Sequence, residues 1–322
     1  MKKQFTIFSL LMIVAMIISA CGSSTTKVAP STAASPFDPA AAKGNIVTAG
    51  SSTVFPITQR MADLFRREGY SGNITVDSIG TGAGFERFCK TGETDISNAS
   101  RPIKEAEKEN CQKIGRTPLE FQIAIDALAV VVSSENTFVK NLSKAQLADI
   151  FNGKVSKWSE LDASYPSEAI KLFSPGTDSG TFDYFVEAIL NSKKDGILSV
   201  KGIQLSENDN VLAKGIEGSK YAIGYFGFAY YLADKGKLRA VTIEGVEPSK
   251  ETVENKKYAL ARPLFIYSDA TIMKNKPQVA TFIRFCLDAP DKEIVKAGYF
   301  PPTTEIKKKA NELFENVMGT TP

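Results

Sequence analysis

From residue 46 onward, short extended runs alternate with segments whose apolar side chains recur at helical spacing, and that alternation confines the chain to an α/β fold. Strands are expected at residues 46–49, 74–79, 170–173, 222–226, 238–243 and 263–267. A long, strongly apolar extended segment is expected at 121–132. One helix should open near Pro56, a residue suited to a first turn, and carry Ile57, Met61, Leu64 and Phe65 on one face. Another should run through Phe182, Phe185, Val186, Ile189 and Leu190, a stripe that belongs to the core, and a late one over 277–287. Ser143 and Gln146 form a capping-box pattern for a helix ending near Gly153. No internal repeat is visible.

Three loops share one design. Gly50-Ser51-Ser52-Thr53-Val54, Gly80-Thr81-Gly82-Ala83-Gly84 and Gly176-Thr177-Asp178-Ser179-Gly180-Thr181 each follow an expected strand and run into an expected helix. A helix start presents unpaired N–H groups and about half a positive charge; hydroxyls add donors, and glycines let backbone approach closely. Together these features suit an anion. The ordinary alternative for any one loop is helix capping by Ser, Thr or Asp. The glycines at 80–84 do not make a dinucleotide fingerprint, because Arg87 stands where the third glycine is required.

The N-terminus has its own logic. Lys2 and Lys3 precede an apolar run over 5–18, and Ile18-Ser19-Ala20 leads directly to Cys21. This is a signal peptide over 1–20, too short for a membrane span, and its junction resembles a bacterial lipobox with lipidation at Cys21. Residues 21–44 are rich in Ser, Thr, Ala and Pro and read as a flexible tether. The signal carries two lysines and no acids, so its removal takes the formal charge from +3 to +1. That balance gives no footing for nucleic acid. There is no histidine, which removes the usual general base of hydrolases and the commonest zinc ligand. No metal site or cofactor is expected. An exported setting permits a disulfide; Cys89–Cys111 would close a short loop, while Cys286 shares helical spacing with Val279, Phe282 and Ile283. The pairing stays open at this level.

Five motifs now combine. Gly50-Ser-Ser-Thr-Val-Phe-Pro56, Ile79-Gly-Thr-Gly-Ala-Gly-Phe85, Asp95-Ile-Ser-Asn-Ala-Ser-Arg-Pro102, Asp178-Ser-Gly-Thr181 and Ala222-Ile-Gly-Tyr225 occur in the order found in the phosphate-binding subunit of bacterial phosphate ABC transporters. The chain resembles that family over roughly 45–305, and within it the branch that includes SphX-type proteins. The resemblance implies a two-lobe periplasmic-binding-protein-like fold (type II) with the ligand in the cleft. Lobe 1 would comprise 45–130 plus 260–322 and lobe 2 residues 131–259, with crossings near Val131 and Ala259. It implies inorganic phosphate as ligand, delivery to a membrane permease, and no catalysis.

Carried over residue by residue, the first-loop contacts fall on Thr53 and the Val54 amide, with Ser52 adjacent. The second-loop hydroxyl falls on Thr81, and the remaining contacts on Ser179, Gly180 and Thr181. Two positions depart from the family pattern: its buried aspartate falls on Ser100 and its arginine on Pro175. Arg101 is the expected replacement cation, and Asp178 the expected acceptor or, equally, a helix cap. A monomer, lipid-anchored at the membrane, is expected. Sulfate or another tetrahedral oxyanion is the alternative ligand. A serine hydrolase is disfavoured, since Ser179 is misplaced for a nucleophile elbow and has no histidine to activate it.

Overall fold

A computed structural model describes residues 37–319 apart from 234 and 235. Cys21, the signal peptide and most of the tether lie outside the described residues. In chain order the elements that begin the molecule are β1 (Ile46–Gly50), α1 (Phe55–Arg67), β2 (Ile74–Ser78), α2 (Thr81–Glu86), β3 (Ile96–Ala99), α3 (Glu105–Lys113) and β4 (Pro118–Ser133). There follow β5 (Asn141–Leu142), α4 (Lys144–Phe151), β6 (Lys171–Pro175), α5 (Gly180–Ile189), α6 (Asp195–Leu198), β7 (Gln204–Ser206), α7 (Asp209–Glu217), β8 (Ala222–Gly227) and α8 (Phe228–Ala233). The chain closes with β9 (Leu238–Ala240), β10 (Thr242–Ile243), α9 (Lys250–Glu254), β11 (Ala261–Asp269), α10 (Ala270–Asn275), α11 (Pro277–Leu287), α12 (Asp291–Lys296) and α13 (Thr304–Met318).

One long sheet runs in the order β2-β1-β3-β11-β4-β8-β6-β7, with β9 added to β4. β1 lies parallel to β2 and β3, and β6 parallel to β7 and β8. Between these parallel sets the antiparallel strands β11 and β4 form the seam. The 16 residues of β4 are shared: 118–127 pair with β11, and Leu128 to Val132 pair with β8. From Ile123 to Val132 β4 is buried and, but for Asp126, apolar, as a strand covered on both faces must be.

The apolar core divides along the same line. Ile46, Ile57, Met61, Phe65, Phe282 and Ile283 pack on the β1 side; Val130, Phe151, Trp158, Phe185, Ile223 and Tyr225 pack on the β8 side. The α5 stripe is buried throughout, and α1 opens with proline in its first turn. Ser143 accepts from the Gln146 N–H at 3.1 Å while Gln146 Oε1 accepts from the Ser143 N–H at 2.9 Å, closing the capping box of α4. Cys89 and Cys111 are disulfide-bonded, and Cys286 is a buried free thiol.

One expectation needs correction. The single strand foreseen over 238–243 is two: β9 joins β4, whereas β10 joins β5 in a separate small ladder. The break falls at Val241, whose side chain is buried and whose N–H donates to Val130 at 2.9 Å. Among the described residues no helix is long and apolar enough to cross a membrane.

Candidate functional site

The three loops follow β1, β2 and β6 and lead into α1, α2 and α5. The first bends sharply because Gly50 takes φ +144°, and a Cβ there would lie 2.1 Å from the Asn98 carbonyl oxygen. Only glycine suits both demands. The turn delivers Ser52 and Thr53 to the start of α5. Thr53 Oγ1 donates to the Gly180 carbonyl at 2.9 Å, and Ser52 Oγ donates to Asp183 in the first turn of α5. Gly180 has no space for a side chain either, since its Cβ would meet Thr53 Cα at 2.5 Å. The β1 loop and the start of α5, which belong to opposite ends of the sheet, therefore touch directly.

Thr81 and Ser100 form a second hydroxyl pair. The Ser100 N–H donates to Thr81 Oγ1 at 3.2 Å, and their hydroxyls lie 3.1 Å apart. At α5, Ser179 caps the helix by accepting from the Thr181 N–H at 3.2 Å. Asp178 is thus not the cap; it is exposed, with its N–H directed to Glu207 Oε1 at 3.2 Å. The Val54 N–H is taken within its own loop by the Ser51 carbonyl at 3.1 Å.

Two cavities flank the Thr53–Gly180 contact. The larger, about 840 Å³, is bordered by Asp126 and by Asp178, Ser179, Gly180 and Thr181. The smaller, about 390 Å³, is bordered by Thr53, Thr81, Ser100, Arg101 and Arg262. Ser52 borders both. Of the sequence-derived set, then, every side chain except Val54 opens onto one of these cavities. Arg101 has both terminal nitrogens engaged by Glu107, at 2.9 and 2.8 Å, and sits over the Phe85 ring.

Two charged residues at the site lie outside the sequence-derived set. Arg262 on β11 and Asp126 on β4 are register partners, 8% and 2% exposed. The Arg262 Nη2 donates to Thr53 Oγ1 at 2.5 Å, its Nη1 to Glu187 at 3.0 Å, and its Cζ lies over the Tyr184 ring, 3.6 Å from the centre. Burial pushes the Asp126 carboxyl pKa up, while the Arg262 charge beside it pulls the other way. The Tyr299 hydroxyl completes the surroundings by donating to the Thr53 carbonyl at 2.6 Å. A signal for Asp126 was available: a carboxylate inside an otherwise apolar strand is costly to bury without a partner. Among the described residues no cluster of His, Cys, Asp or Glu could hold a metal ion.

A mixed sheet seamed by two antiparallel strands, with hydroxyl-bearing loops from both sides meeting over cavities, defines a two-lobe solute-binding class of protein. Comparison with known proteins agrees. A model of the PBP superfamily domain matches residues 35–290. Protein SphX of Synechococcus elongatus is 42% identical over 88% of this chain and 86% of its own length. The phosphate-binding protein PstS of Staphylococcus haemolyticus is 39% identical over 80% of this chain and 81% of its own. Among solved structures, a possible phosphate-binding protein from Planctomyces limnophilus superposes with a TM-score of 0.80 at 40% identity, covering 86% of this chain and 99% of that one. A putative phosphate ABC transporter substrate-binding protein with bound phosphate from Clostridium perfringens gives a TM-score of 0.56 at 28% identity, covering 81% and 100%. The chain belongs to the PBP superfamily and, within it, to the family of PstS and SphX phosphate-binding proteins.

Proposed function

We propose that this protein is an extracytoplasmic solute-binding lipoprotein that captures inorganic phosphate and delivers it to an ABC permease. The observation that carries the reading is the meeting of hydroxyl-bearing loops from both sides of the seam, in a chain 42% identical to SphX and 39% identical to a PstS. Phosphate is held by Ser52, Thr53 and the Val54 amide from the first loop, by Thr81, Ser100 and Arg101 on the same side, and by Asp178, Ser179, Gly180 and Thr181 from the other. Lobe 1 is 45–130 with 260–322 and lobe 2 is 131–259. Ligand oxygens take over donors now spent inside the protein, such as the Thr53 hydroxyl on the Gly180 carbonyl. The protein binds without transforming its ligand, works as a monomer, and is tethered by a lipid on Cys21.

Equilibrium dialysis with radiolabelled phosphate tests the reading. Saturation at one phosphate per chain is expected; no retention by protein freed of bound anion would overturn it. The anchor is tested separately by labelled palmitate, whose incorporation should vanish in Cys21→Ser.

A further inference from the structure

Of the two charged residues assigned to phosphate above, Asp178 is exposed and Arg101 is paired with Glu107 through both terminal nitrogens. The family positions for aspartate and arginine hold Ser100 and Pro175. We propose that Arg262 and Asp126, paired across the β4–β11 seam, are the cation and the proton acceptor of the phosphate site. The assignment rests on the phosphate reading above.

Three observations carry it. First, the pair is buried yet underused. Arg262 Nε and Asp126 Oδ2 are 3.5 Å apart, and neither atom has a hydrogen-bond partner among the described residues. A purely structural buried pair meets its hydrogen bonds, because unmet buried charge is costly. Second, the pair borders the right space: Arg262 opens on the cavity of Thr81 and Ser100, Asp126 on that of Ser179 to Thr181. Third, the guanidinium is aimed. Its Cζ rests over the Tyr184 ring, and its bond to Thr53 Oγ1 points one edge at the first binding loop. A planar fork held in this way suits two oxygens of one anion. Its remaining partner, Glu187, is a half-exposed carboxylate whose side chain is 50% accessible and which an anion can displace.

The chemistry also separates ligands. Phosphate near neutrality carries at least one proton, which it donates to the Asp126 carboxylate. Sulfate carries none and would set its own lone pairs against that carboxylate. A buried acceptor facing an acceptor is a penalty built against the wrong ligand.

Calorimetry with phosphate and with sulfate on wild type, Arg262→Lys, Asp126→Asn, Asp178→Asn and Glu187→Gln tests this. Arg262→Lys keeps charge but loses the fork, and phosphate affinity should fall at least roughly tenfold, the scale of a lost charge-assisted hydrogen bond. Asp126→Asn should narrow the phosphate-to-sulfate ratio by at least about tenfold on the same scale. Glu187→Gln should bind phosphate as tightly as wild type or more tightly. Wild-type affinity in Arg262→Lys would overturn the assignment. So would an equal loss in Glu187→Gln, which would make the arginine a strut, or a ratio moved by Asp178→Asn and not by Asp126→Asn. If Arg262→Lys does not fold, the near-isosteric Asp126→Asn decides alone. Wild-type protein that binds neither anion would instead remove the phosphate reading itself.

Discussion

At Gly180 the backbone of two loops meets with no room for a methyl group, since a Cβ would lie 2.5 Å from Thr53 Cα and 2.7 Å from its nitrogen. Both of those atoms are backbone and cannot swing aside. Gly180→Ala should therefore push the loops apart and weaken phosphate binding by roughly tenfold or more, the equivalent of one lost ligand contact, as titration would measure. Binding at wild-type strength would mean that the loops do not need to touch. A neighbouring change separates capping from ligand contact. Ser179→Ala removes the α5 cap and should cost about 1 kcal/mol in denaturant unfolding without phosphate, with a further loss in its presence. At this scale the sequence was partly legible. The glycine and hydroxyl loops announce themselves because their chemistry is local. Arg262 and Asp126 do not, because they are 136 positions apart and become neighbours only through the β4–β11 register. Asp126 alone could have been singled out, as the one carboxylate within the apolar run at 121–132.

Elements were legible wherever one periodic face decides the outcome. The α5 stripe, the α4 capping box and the apolar length of β4 all follow from spacing within a single segment. The misread stretch, 238–243, consists of residues whose partners lie about 100 positions away in β4 and β5, and nothing local marks the change of partner. The Cys89–Cys111 bridge closes a loop with a sequence separation of 22 and ties the segment after α2 to α3. By chain entropy a loop of that size contributes about 3 kcal/mol. Mild reduction, or Cys89→Ala with Cys111→Ala, should lower unfolding stability by that order in urea titration. An unchanged midpoint would show that the buried cluster of Phe85, Phe88 and Tyr267 holds the segment unaided.

For the whole molecule, the contacts Thr53–Gly180 and Ser52–Asp183 join loops carried on opposite sides of the seam, while β4 and β11 run through it. An anion that bonds to both loops favours the state in which they meet, and only that differential contact can shift the equilibrium. Small-angle scattering should accordingly give a smaller radius of gyration with phosphate; identical profiles would describe a rigid cleft. Because the joined site exists only in the folded chain, phosphate at about 100 times its dissociation constant should add roughly 2.7 kcal/mol to stability. As proposed, the hydroxyl loops and the seam charges form one phosphate-selective site. Competition calorimetry on protein freed of bound anion tests it most directly. One phosphate per chain is expected, with sulfate at least roughly a hundredfold weaker, because a buried acceptor is left facing an unprotonated anion. Equal affinity for the two anions, or no heat with either, would contradict it.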